Sequence, residues 1–448
     1  MQVWARVIVA SILSGLLFVL SLPPAAWGGL GWVCLTPLFW AVRSSGFLHG
    51  FVGGIVAAMF GAWLSTTPLI GPPVVVESSV GWNYAGFALF GLVIATLAGA
   101  VAEVRRWDSR AVVGLASLGV LLEVATLLRL PAHLALTQFA NPPVVFLASL
   151  GGIWLVSWLV WCANLVALAR PTRTTWLTLV AIVVVTQSIT TLEMRRLRQL
   201  PMFESGSGAF VAVQGAGDVD RLLQIQSTGI GERQLLSVWP ELAVAEYDLG
   251  EMTKFAASRQ GVPMVTTFND QGPRGQRNVA AVISASGASA RYAKRKPFAS
   301  EASQIVAGTE PLSVRVADVR VGLNICFDSC YPWVMRDTVR LGADVIALPT
   351  LDPASPNGFV QAIHGAFTPF RAAELGVPIV RAETTAWSMI VNSRGRILGL
   401  SPVGVDGPLV RRVKTGPVGT VPMLLGDWWL AVCSGLFLYW VWPRRQST

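Results

Sequence analysis

Charge is scarce in this sequence. Only 13% of its 448 residues are Asp, Glu, Lys or Arg, where a soluble domain carries about 25%. With 53% hydrophobic residues and a mean hydropathy of +0.56, the chain is not a soluble globule throughout. Cysteine is also sparse. Of the five, Cys34, Cys162 and Cys433 lie in apolar runs, and only Cys326 and Cys330 stand in polar sequence. There is no C-x-x-C pair and the three histidines, His49, His133 and His364, are scattered, so the pattern gives no zinc site. No internal repeat or low-complexity tract is evident. The formal charge of +9 does not imply nucleic acid, because many arginines flank apolar runs, where they act as topology signals.

What is present in abundance is apolar runs. Candidate spans fall at 7–22, 25–42, 50–71, 82–102, 110–128, 143–169, 174–192 and 423–442, each near the ~20 residues that cross a bilayer core. Arg6, Arg43, Arg105, Arg106, Arg110, Arg170, Arg173, Arg444 and Arg445 fall on one side of that arrangement, and only Arg129 lies in the short loops of the other. The positive-inside rule then expects both termini in the cytoplasm and the long segment before the last span on the outer face. The short loop holding Glu77 belongs to that outer face, and the tryptophans at span ends read as interface anchors.

Residues 208–415 change character. Strand-like runs interleave with helix-like ones between Gly and Pro punctuation, which predicts an α/β domain. Expected strands are Ala209–Gln214, Leu235–Trp239, Pro263–Phe268, Asn278–Ser284, Val319–Ile325, Asp344–Leu348, Ile379–Arg381, Trp387–Asn392 and Gly407–Arg412. Expected helices are Leu249–Arg259, Trp333–Leu341 and Phe359–Leu375. The division is a seven-helix bundle over 1–200, a catalytic domain over 208–415, and a last span with a short tail over 418–448.

Three polar groups stand at strand ends, where a rigid scaffold meets a loop. They are Glu241 in Leu-Ser-Val-Trp-Pro-Glu, Lys294 in Arg-Tyr-Ala-Lys, and Cys326 in Leu-Asn-Ile-Cys-Phe-Asp. Each alone has an ordinary alternative: a surface acid, a solvated basic loop, a small buried hydrophobe. Together they supply a base for a thiol proton, a cation beside a thiolate, and a nucleophile. Phe327 offers a backbone N–H as an oxyanion donor.

The order Glu, Lys, Cys with spacings of 53 and 32 residues is similar to that of the nitrilase, or carbon–nitrogen hydrolase, superfamily. A domain of that kind between a span bundle and a final span resembles the apolipoprotein N-acyltransferase family. Val211-Ala-Val-Gln214 resembles the family's first strand, Arg371-Ala-Ala-Glu374 its late helix, and Glu123 with Arg129 an acid–arginine pair at a span end. The resemblance implies an αββα sandwich on a helical membrane bundle. It implies Glu241, Lys294 and Cys326 as a catalytic set, with Phe327, Asp328 and Glu301 supporting them. Trp239, Tyr292, His364, Glu123 and Arg129 become candidate substrate contacts. It implies ping-pong transfer from a phospholipid acyl donor, through a cysteine thioester, to the amine of a diacylated apolipoprotein acceptor at the lipid bilayer of a bacterial inner membrane. No cofactor, metal or nucleic acid enters.

Departures from the family pattern surround that set. The expected Glu after the lysine maps to Glu301, displaced by one residue, and Lys296 competes with Lys294 for the lysine role. Phe327-Asp328 stands where aromatic-Glu is usual. Pro349–Ser355 replaces an Asn-Asp-Ala-Trp loop, and the Lys-Trp after the first strand is missing from Gln214–Asp220. They leave open a membrane-tethered amidase or hydrolase, or a non-catalytic lipoprotein-binding relative.

Overall fold

The computed structural model describes residues 2–70, 81–169, 171–202, 208–229, 234–258, 261–353 and 356–443. Glu77, Arg170, Arg259, Ser355, Arg444 and Arg445, invoked above, lie outside them.

Six helices among the described residues are long and apolar enough to cross a membrane: α1 (Gln2–Ser21), α2 (Phe47–Ser65), α3 (Gly81–Glu103), α4 (Ser109–Thr126), α5 (Ala148–Ala169) and α6 (Arg173–Gln199). The expected span at 25–42 is instead a 3-10 turn, Gly28–Trp32, and a short helix, Thr36–Val42. Close packing explains the break: a Cβ on Gly29 would meet the Val183 carbonyl oxygen of α6 at 2.5 Å. The freed backbone groups must be satisfied inside the protein, because lipid offers no partners. Asn164 of α5 does so, accepting from Leu35 N at 2.7 Å and donating to Gly31 O at 2.9 Å. The final expected span is a 14-residue helix at Trp428–Val441, preceded by the short turn Val421–Leu425.

The segment between bundle and last helix folds as two six-stranded sheets. One has the order β12-β1-β2-β3-β4-β5 and the other β11-β10-β9-β8-β7-β6. The strands are β1 (Ala209–Gln214), β2 (Leu236–Val238), β3 (Met264–Gly272), β4 (Gly275–Ser284), β5 (Gly287–Ala293), β6 (Leu312–Val316), β7 (Val319–Leu323), β8 (Val345–Thr350), β9 (Ile379–Glu383), β10 (Met389–Val391), β11 (Ile397–Leu400) and β12 (Gly407–Arg412). Their burial is nearly continuous in β1, β8 and β9, as expected where both faces of a sheet are covered. Helices α7 (Val219–Thr228) and α8 (Leu249–Ala257) cover the first sheet; α9 (Pro332–Arg340), α10 (Phe359–Gly365) and α11 (Phe367–Leu375) lie on the side of the second.

Nine strands and three helices expected from the sequence are present, β1 and β12 with the expected ends and the others with shifted ends. Strands β5, β6 and β11 and helix α7 were not expected. All three are edge strands, each only partly buried, and α7 has only three buried residues. The expected helix at 359–375 is two helices, α10 and α11, meeting at Ala366.

The domain is fastened to the bundle by polar contacts. Helix α5 is broken at Gly151–Gly152, where Gly152 takes φ +70°, a left-handed conformation that glycine adopts without Cβ strain. The Ile153 N–H released there donates to Glu374 of α11 at 2.5 Å. Asp427, ahead of the last helix, accepts from Arg336 of α9 at 2.7 Å and from Trp154 Nε1 at 3.3 Å.

Candidate active site

The three strand-end groups meet at one place. In the two sheets β2, β7 and β8 run with their C-terminal ends toward it, and β5 delivers Lys294 one residue past its end. Glu241 is 2% exposed, Lys294 1% and Cys326 4%. Lys294 Nζ donates to Glu241 Oε1 and to Glu301 Oε2, both at 2.7 Å. Glu241 is held from two further sides, by Asn278 Nδ2 at 2.6 Å and Leu351 N at 2.9 Å. Glu301 is fixed by Phe298 N at 2.8 Å, so the displaced acid occupies a defined place beside the lysine. Lys296 is placed elsewhere. Its Nζ lies over the rings of Tyr331 and Trp333, 4.9 and 5.6 Å from their centroids.

Cys326 begins a 3-10 turn, Cys326–Cys330, directly after β7. Its φ is +46°, a conformation that costs a non-glycine residue about 1–3 kcal/mol and persists only where the surroundings enforce it. Asp328 does much of the enforcing: it accepts from Ile325 N at 2.9 Å, Lys296 N at 2.8 Å and Tyr292 OH at 2.7 Å. It thereby ties the turn to the lysine loop. Burial, opposed by these bonds, raises its carboxyl to about 6.

Burial also pushes the Cys326 thiol well above its usual value; Glu241 adds to that rise and Lys294 opposes it. Burial alone would lower the Lys294 ammonium, but Cys326, Glu241 and Glu301 outweigh it and hold the group well above the usual lysine range. The Lys294 ammonium is thus a buried positive charge beside the Cys326 sulfur.

A second polar layer lies beside the sulfur; of its members the sequence makes only His364 a candidate. Asp352 Oδ1 is 3.9 Å from Cys326 Sγ and 2.5 Å from His364 Nδ1, while Oδ2 is 2.6 Å from Arg381. Ser329 Oγ pairs with His364 Nε2 at 2.9 Å and with Cys326 O at 2.8 Å. Burial raises Asp352, but His364 and Arg381 outweigh it and bring the carboxyl below the usual range. Asp352 follows β8 as Cys326 follows β7, so the strand-end rule that singled out Cys326 also points to it. Cys326, Asp352 and His364 hold donor atoms within 4.8 Å of one another; in this structure Asp352 is already engaged by His364 and Arg381.

The thiol opens on a cavity of about 480 Å³ that reaches between the membrane helices. Phe18, Phe87 and Phe90 come from α1 and α3, and Phe298, Phe327 and Phe359 from the α/β domain. Lys294, Glu301, Asp352 and His364 also reach its wall.

Other expected contacts lie elsewhere. Trp239 packs with Val211, Met252 and Met264 on the outer face of the first sheet, its Nε1 donating to Gln226 at 2.5 Å. Alternation along the strand sends Val238 inward and Trp239 outward. Tyr292 is a support for Asp328 rather than a cavity wall. Arg129 is exposed, and Glu123 does not reach for it. Glu123 accepts instead from Leu134 N at 2.8 Å and Trp161 Nε1 at 2.9 Å, and lies 3.2 Å from His133 Nδ1. Cys330 is buried, and burial drives its thiol strongly upward.

Residues 14–166 match the family described as "Apolipoprotein N-acyltransferase N-terminal domain", and residues 236–416 match "Carbon-nitrogen hydrolase". An apolipoprotein N-acyltransferase of Geobacter metallireducens is 27% identical over 98% of this chain and 95% of its own length. The chain is thus similar to apolipoprotein N-acyltransferases over nearly its whole length. A Chlamydia trachomatis member is 32% identical over 29% of this chain and 26% of its own length. Among solved structures, an amidase from Nesterenkonia sp. is similar, at 18% identity and a TM-score of 0.40, over 48% of this chain and 92% of its own. The two family matches meet at the cavity: Phe18, Phe87 and Phe90 fall in the N-terminal one, and Phe298, Phe327 and Phe359 with the polar groups in the C-terminal one.

Proposed function

We propose that this protein moves a fatty acyl group from a phospholipid, through a thioester on Cys326, to the N-terminal amine of S-diacylglyceryl-cysteine in a lipoprotein. The observation that carries the reading is a buried Glu241–Lys294–Cys326 set at the mouth of an apolar cavity walled by membrane helices. In the first half-reaction Glu241 takes the thiol proton as sulfur attacks the ester carbonyl. Lys294 and the Phe327 N–H balance the oxyanion. Collapse breaks the ester bond, and the departing lysophospholipid oxygen recovers the proton from Glu241. In the second half-reaction the acceptor amine attacks the thioester carbonyl and gives its proton to Glu241. The C–S bond breaks, and sulfur takes that proton back as the amide forms.

The low exposure of Cys326 and the apolar wall of the cavity it opens on favour transfer over hydrolysis, because water has little access to the thioester. Both substrates are lipid-anchored, so holding them in one membrane replaces a dilute encounter with a local one.

The arginine distribution supports a bacterial inner-membrane orientation with both termini cytoplasmic and the α/β domain outside. Arg110, at the start of α4, donates to the Tyr439 and Trp442 carbonyls at the end of the last helix, so those two ends share one membrane face. Incubating the purified protein with labelled phospholipid tests the reading. A Cys326 thioester that is discharged by a diacylated lipopeptide supports it; an adduct that only water discharges points to a hydrolase.

A further inference from the structure

Away from the thiol, the cavity wall contains a polar atom with nothing to bind. His133 is 2% exposed and lines the cavity. Its Nδ1 faces the Glu123 carboxylate at 3.2 Å, and Glu123 is itself anchored by Leu134 N and Trp161 Nε1. The ring is clamped edge-on by Trp154 and Phe367, with centroids 4.7 and 5.6 Å away. That leaves Nε2 fixed in place, with no hydrogen-bond partner among the described residues. Asn83 is similar: its Nδ2 donates to Ser65 Oγ at 3.0 Å, its Oδ1 has no such partner, and it lines the same cavity.

Buried polar atoms are normally satisfied, and one left open in a ligand cavity marks where the ligand supplies the partner. We propose that the cavity contains a subsite for a hydroxyl group carried part-way along an acyl chain, with His133 Nε2 as its anchor. The inference rests on the acyl-transfer reading above and names the chain that the site takes. When the ring is neutral with Nδ1–H on Glu123, Nε2 is an acceptor; when protonated, it is a donor. A hydroxyl answers either state, an ester carbonyl only the second, and a methylene neither. Asn83 Oδ1 asks for a donor, which a hydroxyl also supplies. The place is along the chain and not at the reacting ester. Phe367, against His133, lies three residues beyond His364, and the His364 ring is 6.3 Å from that of Phe327, the neighbour of Cys326. The subsite and the thiol thus meet different rings of the cavity wall, Phe367 at His133 and Phe327 beside Cys326.

The test is a competition on the full-length protein in vesicles. Phosphatidylethanolamine with stearoyl chains is mixed with an equal amount carrying hydroxystearoyl chains, the hydroxyl moved along the chain across a panel. The intact mass of the protein gives the ratio of the two Cys326 thioesters. At one stretch of positions the hydroxylated adduct should exceed the plain one by about tenfold or more, as sites built around a substrate hydroxyl discriminate. In His133→Leu the ratio should fall toward one, whatever the total rate. A wild-type ratio near one at every position overturns the proposal, and needs no variant to fold. So does an unchanged ratio in His133→Leu. Absence of any adduct from either lipid overturns the acyl-transfer reading itself.

Discussion

Lys294 Nζ stands 2.7 Å from Glu241 Oε1, with both side chains 1% exposed. Such a pair is costly to break, because removing one partner leaves a charge without compensation, at about 3–5 kcal/mol. Glu301 also holds the lysine, so the two halves of the pair are not equivalent. Lys294→Met strands two carboxylates, whereas Glu241→Gln leaves Lys294 with Glu301.

Lys294→Met is therefore expected to lower thermal stability more than Glu241→Gln, while each removes most of the single-turnover acylation rate. The double variant should be little slower than either, since groups acting as a unit are not additive. Lys294→Arg should not rescue, because a planar fork does not fit where a compact ammonium bridges two carboxylates. Lys296→Met should be much milder; loss in that variant with full acylation by Lys294→Met would reverse the assignment.

Cys326→Ala and Cys326→Ser are expected to be folded, membrane-inserted and without thioester formation. Cys330→Ala should retain much of the activity, because its thiol is a packed neighbour in the turn. The opposite pattern in a phospholipid labelling assay would identify Cys330 as the nucleophile.

The pH dependence of stability has a defined sign. Asp328, raised from 3.8 to about 6, and Glu383, raised by burial and by Asp352 from 4.5 to about 7, both bind protons more readily folded than unfolded. Their contribution is full below the unfolded values and is lost as pH rises through about 6 and about 7. Glu383→Gln should flatten the stability profile between about pH 4.5 and 7. An unchanged slope in denaturant titrations across that window would remove Glu383 from the account.

Glu374→Ala leaves Arg371 buried without its carboxylate, and Arg371 Nε holds Ser329 O of the nucleophile turn at 2.8 Å. A loss of about 3–5 kcal/mol is expected, with slower acylation. Glu374→Gln keeps an acceptor for Ile153 N–H and should recover part of the stability. Equal unfolding midpoints for the two variants would show that this acceptor contributes nothing.

Reporter fusions after Thr415 should behave as external and fusions at Thr448 as cytoplasmic. Reversed signals would invert the proposed orientation.

Composition and arginine placement were enough to determine that most of residues 1–200 sits in a membrane, because twenty apolar residues in a row have few other places to be. Strand-end position made Glu241, Lys294 and Cys326 candidates, since that signal is local, and it was the resemblance of their order to the carbon–nitrogen hydrolase superfamily that joined them into one set. The structure decided what local signals do not carry. The run at 25–42 has the composition of a span, yet tertiary contact with α6 and the side chain of Asn164 turns it into a broken element. Trp239 follows a strand as Glu241 does, but strand parity and the covering helix α7 send it to the far side of the sheet. Asp352 comes to the thiol from beyond β8 and is held by His364 of α10 and Arg381 of β9, three segments that no spacing in the chain brings together. The partner of Glu123 is likewise a matter of tertiary geometry. Its carboxylate takes His133, ten residues away, and not Arg129, because the loop after α4 turns the histidine inward and leaves the arginine exposed.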